Sequence, residues 1–394
     1  MKKLAIIGTV GVPANYGGFE TLAEQLVINL DEDYDLTVYC SREHYYQQPS
    51  HYKNAKLVYL SLNANGVQSI LYDIVSIFHA VRRSEVLLIL GVSGAVCFPF
   101  IRLFYPKIKL ITNIDGIEWK RAKWNRIAKW YLKFSEKIAV KYSHRVIADN
   151  RMIVEYVNET YHIDSELIEY GVEHSHTDSE ISSGLPEGSY DIAVCRIEPE
   201  NNVHVILEAY SKVNSFKLVF IGNWEANEYA RKLKERFGKF PNIMLIHSIY
   251  DLEELNRYRK FARLYVHGHS AGGTNPSLVE AMYLNLPVAA FDVNYNRETT
   301  ENKCLYFKNA DELSGIITQT PNEQLDAIAD ELHRISLRRY SWTVIARKYR
   351  HLLDGERENN LNANLKVSII TVVYQNKKSV KDAIESVLSQ SYKN

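Results

Sequence analysis

Short apolar runs alternate with amphipathic stretches along most of the chain. The stretches predict helices over residues 19–30, 202–213, 226–237 and 276–284, because their apolar residues recur with helical spacing. Alternating strands and helices predict an α/β fold with parallel sheets. The predicted strands are LAIIG (4–8), LTVYC (36–40), KLVYLSL (56–62), EVLLIL (85–90), KLITNI (109–114), RVIAD (145–149), DIAVC (191–195), KLVFIG (217–222), IMLIH (243–247), RLYVH (263–267) and PVAAF (287–291).

A polar break divides this pattern in two. Residues 174–189, HSHTDSEISSGLPEGS, show no periodicity and contain glycine, serine and proline. A chain of 394 residues also exceeds one ordinary core. We predict two doubly wound, Rossmann-like domains, 1–170 and 171–355, that face each other across a cleft. Such sheets bind ligands at the carboxyl ends of their strands.

The end of the chain departs from the alternation. Residues 356–365 are a polar linker, and 366–394 contain a new strand, KVSIITVVY, followed by a helix, SVKDAIESVLSQS. One strand and one helix cannot bury a core alone. Either this segment docks on the preceding domains, or it begins a third domain.

Charge and composition exclude several classes of protein. The formal net charge is zero, which argues against nucleic acid as a partner. The four cysteines are scattered, as in a reduced cytoplasmic protein, and no signal peptide precedes the first strand. The apolar run 86–101 contains two glycines and a proline, so it predicts a strand, a turn and a helix start rather than a membrane span. His267 and His269 have no third ligand nearby, and we expect no metal site.

A glycine turn, HGHSAGGTNPSLVEAM (267–282), joins a predicted strand to a predicted helix. Helix N-termini attract phosphate, and glycines let the backbone approach it closely. Glu280, one turn into the helix, is suitably placed to accept both hydroxyls of a ribose. The turn therefore predicts a nucleotide diphosphate, although a purely structural turn is the alternative. The candidate donor-binding residues here are Gly272, Gly273, Thr274, Asn275 and Glu280.

A second glycine turn lies near the start of the chain. Gly17 and Gly18 open a predicted helix, but the sequence G-T-V-G (8–11) lacks the spacing of a dinucleotide fingerprint. No Walker lysine is present either, so ATP hydrolysis is not expected. Contact with phosphate or sugar and a structural turn remain equally open for Gly17 and Gly18.

Residues 118–145 concentrate positive charge in a neutral chain. They contain nine Lys or Arg residues against two Glu, so the remainder carries a net charge of −7. A basic, aromatic helix indicates attraction to an anionic membrane surface, and a solvated charged face is the alternative. We expect an opposite, core-facing stripe of Ile127, Trp130, Tyr131, Phe134 and Ile138. The predicted membrane-contacting ridge is Lys129, Lys133, Lys137 and Lys141.

Several motifs resemble a known enzyme family. CRIEPENN (195–202), HSAGGTNPSLVEAM (269–282) and FDVNYNRET (291–299) resemble the donor-binding domain of retaining GT-B glycosyltransferases of the family-four type. GTVGVPANYGGFETLAEQL (8–26) and NIDGIEWKRAKW (113–124) resemble the subgroup that includes bacterial polysaccharide rhamnosyltransferases. Residues 366–394 resemble the start of a family-two, GT-A glycosyltransferase.

The resemblance implies roles for donor-binding residues. Arg196 would contact the diphosphate, but the lysine that many relatives carry five residues later is Asn201 here. Arg297 is our candidate replacement. The first glutamate of the family's E-x7-E pair is replaced by Gly272. Tyr250, in the loop after IMLIH, is a candidate for nucleobase contact or an ordinary aromatic residue.

The resemblance also implies roles on the acceptor side. Asp115, at the end of a strand, would bind the acceptor hydroxyl or assist its deprotonation, and a structural Asp-Gly turn is the alternative. The departing phosphate of a retaining reaction can itself take the acceptor's proton. The candidate acceptor-binding residues are Asn15, Tyr16 and Trp119.

Taken together, the motifs predict a glycosyltransferase that moves a sugar from a nucleotide-diphosphate donor, dTDP-L-rhamnose, to a lipid-linked saccharide acceptor. Such an enzyme would lie peripherally on the cytoplasmic face of the plasma membrane and would need no cofactor. The alternatives are a hexosyltransferase that uses a UDP- or GDP-sugar, another GT-B-fold enzyme such as a sugar-nucleotide epimerase, and a non-catalytic membrane scaffold.

Overall fold

The computed structural model describes residues 1–14, 17–30, 32–120, 124–172 and 189–355. The chain divides into two compact units, Met1–Ala346 and Arg347–Asn394, and the first unit holds all the strands described below. The acceptor candidates Asn15 and Tyr16 lie outside the described residues, as do the linker 356–365 and the segment 366–394. Nearly all of the polar break lies outside them as well. The domain limits at 170 and 355 therefore stay predictions.

The first sheet has eight strands in the order β3-β4-β2-β1-β5-β6-β7-β8. All neighbours are parallel except β3 and β4. Every residue of the central strand β5 is buried, as expected of a parallel strand covered on both faces. The strands are β1 (Lys2–Ile7), β2 (Tyr34–Ser41), β3 (His51–Tyr52), β4 (Ala55–Leu60), β5 (Val86–Leu90), β6 (Lys109–Asn113), β7 (Arg145–Ala148) and β8 (Glu166–Leu167).

Helices connect these strands and cover the sheet. Asn125 and Asn150 begin two of them, because their side-chain oxygens accept hydrogen bonds from the backbone N–H groups of Ala128 and Met152. The run 86–101 forms a strand, a glycine turn and a helix start, as predicted. The helices are α1 (Gly18–Leu30), α2 (Ser69–Ala80), α3 (Phe98–Phe104), α4 (Arg126–Tyr142) and α5 (Arg151–Tyr161).

The second sheet has six parallel strands in the order β11-β10-β9-β12-β13-β14. Its order is that of a doubly wound sheet, since the chain moves outward from β9 on one side and then returns to the other side with β12. The strands are β9 (Tyr190–Val194), β10 (Lys217–Ile221), β11 (Ile243–Ile246), β12 (Ala262–His267), β13 (Val288–Phe291) and β14 (Leu305–Phe307).

The four helices predicted from periodicity are present to within two residues at each end. No helix among the described residues is long and apolar enough to cross a membrane. The helices of the second half are α6 (Val203–Lys212), α7 (Glu228–Phe237), α8 (Leu252–Lys260), α9 (Pro276–Tyr283), α10 (Asn294–Thr299), α11 (Ala310–Gln319), α12 (Asn322–Arg339) and α13 (Trp342–Asp354).

The predicted core-facing stripe of α4 is wrong for three of its five residues. Ile127, Trp130 and Phe134 are 79%, 69% and 46% exposed. Periodicity identifies an apolar stripe, but packing decides which side of a helix meets its neighbours. The buried residues of α4 are Ser135, Glu136, Ala139 and Val140.

We expect Gly8→Ala to lower the free energy of unfolding by roughly 3 kcal/mol. Gly8 has a φ of +92°, and a Cβ there would lie 2.1 Å from the carbonyl oxygen of Leu90. The matched control is Gly66→Ala. Gly66 has a φ of +68°, and no atom of the described residues lies within 4 Å of its Cβ position. The free energy of unfolding of this control variant should fall by about 1 kcal/mol. Equal losses in urea titrations would contradict the close approach at Gly8.

Candidate functional site

The glycine turns predicted from the sequence lie at the two places where the strand order reverses. β1 lies between β2 and β5, and β9 lies between β10 and β12. Residues 8–14 follow the carboxyl end of β1, and residues 268–275 follow the carboxyl end of β12. Doubly wound sheets bind ligands in the crevice at these points. Each sheet therefore presents one glycine turn where a ligand is expected.

The donor turn of the second sheet lies directly against the first sheet's Asp115–Gly116 corner. A Cβ on Gly116 would lie 3.3 Å from the Cα of Gly272 and 3.4 Å from the nitrogen of Gly273. Asp115 has a left-handed backbone with a φ of 59°, and its N–H donates to Asn113 Oδ1 at 2.9 Å. The structure thus brings the catalytic candidate beside the donor-binding candidates.

The N-terminal glycines lie near the same place. A Cβ on Gly18 would lie 3.6 Å from the Tyr170 ring, so Tyr170 lies against the start of α1. Burial above all, and also the charge of Glu280, raises the pKa of Tyr170. Gly17 and Gly18 therefore begin a helix whose first turns reach the surroundings of Glu280. A structural turn and a ligand contact remain compatible with this position.

The donor turn is held in place by hydrogen bonds to the loop after β9. The backbone N–H and the hydroxyl of Ser270 donate to the carbonyl oxygen of Glu200 at 3.0 and 2.7 Å. Gly272 needs a φ of +121°, which other residues rarely adopt. Asn275 caps α9 by accepting from the N–H of Ser277, with Pro276 at the first helical position. This arrangement leaves a helix N-terminus that can bind an anion.

Glu280 has a protein partner that the sequence analysis missed. Arg259 donates from Nη2 to Glu280 Oε2 at 2.6 Å. Arg259 is only 1% exposed, although it lies in the polar sequence of α8. No spacing rule connects α8 with α9, so only the tertiary structure identifies this pair. The contact orients the Glu280 carboxylate and gives it a structural role besides the predicted ribose contact.

Arg196 lies at the carboxyl end of the central strand β9. Its side chain is about half exposed and lies 3.8 Å from Glu198. Asn201, at the position where relatives carry lysine, is buried and donates from its side chain to the backbone oxygen of Arg196 at 2.7 Å. Asn201 thus stabilises the turn that carries Arg196 and adds no charge to it.

Arg297, our candidate replacement for that lysine, is engaged elsewhere. Its Nε donates to Asp292, and its guanidinium lies 4.1 Å from the centre of the Tyr306 ring. Asp292 already balances its positive charge, which weakens the case for Arg297 as a diphosphate ligand.

The two aromatic candidates differ in their surroundings. Tyr250 is 65% exposed in the loop between β11 and α8. Trp119 is half-buried against the core of the first sheet, and its indole N–H donates to Tyr156 at 3.4 Å. The ammonium of Lys133 lies 4.6 Å from the centre of the Trp119 ring. These contacts give Trp119 a structural role beside any contact with an acceptor.

Asp149 is a further polar residue of the site that the sequence analysis did not single out. It follows β7 directly, and a Cβ on Gly273 would lie 1.9 Å from its Oδ1 atom. The signal was present, because Asp149 ends the predicted strand RVIAD just as Asp115 follows its strand. Burial, and next the charge of Asp115, raise the pKa of the Asp149 carboxyl.

The two histidines before the donor turn stack on one another. The rings of His267 and His269 are 4.5 Å apart, and burial lowers the pKa of His267. Among the described residues, no group of three or more His, Cys, Asp or Glu side chains is placed to hold a metal ion.

Two family models match most of the chain. Residues 1–173 match a family described as a domain of unknown function, DUF1972, and residues 181–339 match glycosyl transferases group 1. This chain carries a glycosyl transferase group 1 domain. A curated relative of this chain is the O-antigen chain mannosyltransferase RfbU of Salmonella typhimurium, 25% identical over 216 residues. The alignment covers 53% of this chain and 59% of that protein.

Solved structures share the fold of this chain. Sucrose-phosphate synthase from Thermosynechococcus elongatus is 14% identical with a TM-score of 0.76, and the match covers 90% of this chain and all of that one. HepE from Anabaena, solved with UDP and glucose, is 13% identical with a TM-score of 0.70 and the same coverage. The predicted α/β fold of GT-B type is thus confirmed.

The buried pair Arg259–Glu280 can be separated from any ligand role by mutation. We expect Glu280→Ala to lower the free energy of unfolding by roughly 3 kcal/mol, because it leaves a buried guanidinium unpaired. The double variant Arg259→Met with Glu280→Leu should regain most of this stability in urea titrations.

A surface pair provides the control. Lys234 and Glu225 lie 2.7 Å apart but are 44% and 53% exposed, so Lys234→Met should change stability little. A Glu280→Ala variant as stable as the parent would show that Arg259 does not depend on this carboxylate.

Proposed function

We propose that this protein is a nucleotide-sugar-dependent glycosyltransferase of bacterial surface polysaccharide synthesis. The observation that carries the proposal is the contact between the donor turn of the second sheet and the Asp115–Gly116 corner of the first. An anion-binding helix terminus thereby faces a carboxylate from the opposite sheet. The glycosyl transferase group 1 domain and the O-antigen mannosyltransferase relative support this function.

The donor site is built on the second sheet. The diphosphate binds at the N-terminus of α9, where the helix dipole attracts negative charge. Arg196, half exposed after β9, adds a positive charge at the same edge of the sheet. Glu280, oriented by Arg259, accepts the ribose hydroxyls, and the exposed Tyr250 contacts the base.

Asp115 serves the acceptor. It follows β6 of the first sheet, and its neighbour Gly116 lies against Gly272, so an acceptor hydroxyl bound there is next to the donor sugar. In a retaining reaction the departing diphosphate takes the proton of this hydroxyl. Asp115 then orients the hydroxyl by accepting its hydrogen bond.

The donor sugar is L-rhamnose, carried by dTDP, in our proposal. Its support is the resemblance of residues 8–26 and 113–124 to polysaccharide rhamnosyltransferases. The relative from Salmonella is a mannosyltransferase, which makes a mannosyl donor the competing choice. HepE, the fold relative solved with UDP and glucose, adds a UDP-sugar as a third.

A nucleotide screen tests the donor. At about 100 times the dissociation constant, a bound nucleotide stabilises the fold by about 2.7 kcal/mol. We expect dTDP to raise the unfolding temperature more than UDP or GDP, and dTDP-L-rhamnose to support transfer to a lipid-linked saccharide. A larger rise of the unfolding temperature with GDP or UDP would show that the donor carries that nucleotide in place of dTDP. No rise with any of the three would contradict the proposed glycosyltransferase activity.

The lipid-linked acceptor is proposed to be reached from the membrane surface. Three helices of the first sheet, α2, α3 and α4, expose apolar side chains, which we call the apolar patch. The rings of Phe78 and Phe100 are 5.5 Å apart, and those of Trp130 and Phe134 stack at 5.7 Å. The exposed apolar residues of these helices are Leu71, Val75, Phe78, Phe100, Leu103, Phe104, Ile127, Trp130 and Phe134.

Positive charge surrounds the apolar patch. The two carboxylates of these three helices, Asp73 and Glu136, are both buried to 2% exposure, so neither offsets the exposed cations. The combination of exposed aromatic residues and cations favours the headgroup region of an anionic membrane. We therefore propose peripheral binding to the inner face of the plasma membrane. The cations of α3 and α4 are Arg102, Arg126, Lys129, Lys133, Lys137 and Lys141.

The membrane role can be tested with charge-matched variants. Each lysine near an anionic surface contributes about 1 kcal/mol, so changing Lys129, Lys133, Lys137 and Lys141 to glutamine should abolish sedimentation with anionic vesicles. Nucleotide affinity should stay unchanged. The control removes the same charge from exposed positions near the second sheet, namely Lys217, Lys232, Lys234 and Lys239. Equal vesicle binding by both quadruple variants would refute membrane contact through α4.

A further inference from the structure

Asp149 contacts the donor turn from the opposite sheet. The hydroxyl of Thr274 donates to the carbonyl oxygen of Asp149. The carboxylate fills the space that a side chain on Gly273 would need, since a Cβ there would lie 2.5 Å from its Cγ. Asp149 is therefore held against the turn by a hydrogen bond and by its close approach to Gly273.

One oxygen of this carboxylate has no partner. Oδ1 of Asp149 is buried and makes no hydrogen bond with any described residue. A buried acceptor without a donor costs free energy, and such atoms in native sites often meet a ligand. The Cβ position of Gly272, the residue before Gly273, has no described atom within 4 Å. The turn thus combines an unpaired acceptor with room for a ligand group.

The charges nearby select the chemistry of that group. Asp115 lies close enough for its charge to affect Asp149, so an added anion would be repelled here. A hydroxyl suits the position, because it can donate to Oδ1 without adding charge. Gly273 and Thr274 precede the α9 N-terminus, where the diphosphate is proposed to bind. The hydroxyl-bearing group next to a diphosphate is the sugar attached to it.

We propose that the Asp149 carboxylate binds a hydroxyl of the donor sugar across the cleft. The assignment rests on the proposed function. It also accounts for Gly272, which stands where the family's E-x7-E pair has its first glutamate. The turn lacks that carboxylate, and the Asp149 carboxylate of the first sheet lies against the next residue, Gly273. Donor-sugar specificity then depends on both sheets together.

A comparison of nucleotides with and without their sugar tests Asp149. The probes are three pairs: UDP with UDP-glucose, GDP with GDP-mannose, and dTDP with dTDP-L-rhamnose. Each compound is titrated calorimetrically against the full chain. For the pair that the parent binds most tightly, Asp149→Asn should weaken the sugar nucleotide about tenfold and the free diphosphate less than about twofold. The control is Asp164→Asn, which replaces an exposed carboxylate in the same half of the chain. It should change neither the affinity for the sugar nucleotide nor that for the diphosphate.

Further measurements separate binding from folding. Unfolding temperatures of the parent, Asp149→Asn and Asp149→Ser should be compared, and the same selective loss should occur in both variants. Among monodeoxy analogues of the chosen sugar nucleotide, one should bind the parent and Asp149→Asn equally, because it lacks the hydroxyl in question.

The outcomes are distinct. If the Asp149 variants lose affinity for the diphosphate and the sugar nucleotide equally, or for neither, the assignment is overturned and the proposed function stays intact. A parent protein that binds none of the three diphosphates would overturn the proposed function and this assignment with it.

Discussion

Close approach of two backbones is the constraint on which the site depends. The Asp115–Gly116 corner meets Gly272 and Gly273 at distances where a side chain on Gly116 would lie 3.3 Å from the opposing main chain. A side chain on Gly273 would collide with Asp149. Glycine is therefore required at this contact for reasons of space as well as of backbone angle. The contact brings the polar ends of two separate sheets into one crevice.

Ion pairs and a helix cap also connect the segments of the two sheets. Arg339, on α12, donates to Glu169, which follows β8 of the first sheet, at 3.1 Å, and to Glu298 on α10 at 2.7 Å. Asn150, which caps α5, donates to the same Glu298 at 2.9 Å. Burial makes such pairs sensitive to the loss of one partner. These polar contacts join the first sheet's segments to helices of the second half of the chain.

The surface of the first sheet poses a different problem from its cleft. Exposure of the aromatic rings on α3 and α4 to water is unfavourable. A monomeric soluble protein rarely groups such exposed rings. Here they accompany lysines, while Glu136 is buried under two tyrosine hydroxyls, those of Tyr156 and Tyr161. The buried side of α4 thus combines Ser135 and Glu136 with Ala139 and Val140, and its exposed side combines aromatic rings with lysines.

The sequence alone determined the alternation of strands and helices, since strand and helix periods are local properties of the chain. It also indicated the glycine turns, Arg196, Asp115 and Glu280, because turns that need glycine and polar residues at strand ends are visible in a single stretch. The short edge strands β3, β8 and β14 were missed, as two or three residues carry no period.

Only the tertiary structure decided which of these residues meet. Arg259 and Glu280 belong to different helices, and Asp149 and Gly273 to different sheets, so no spacing along the chain connects them. The exposed side of α4 was likewise misjudged, because periodicity defines a stripe and packing decides whether it faces the core. Contacts between distant segments arise from the packing of the whole fold, which no local pattern contains.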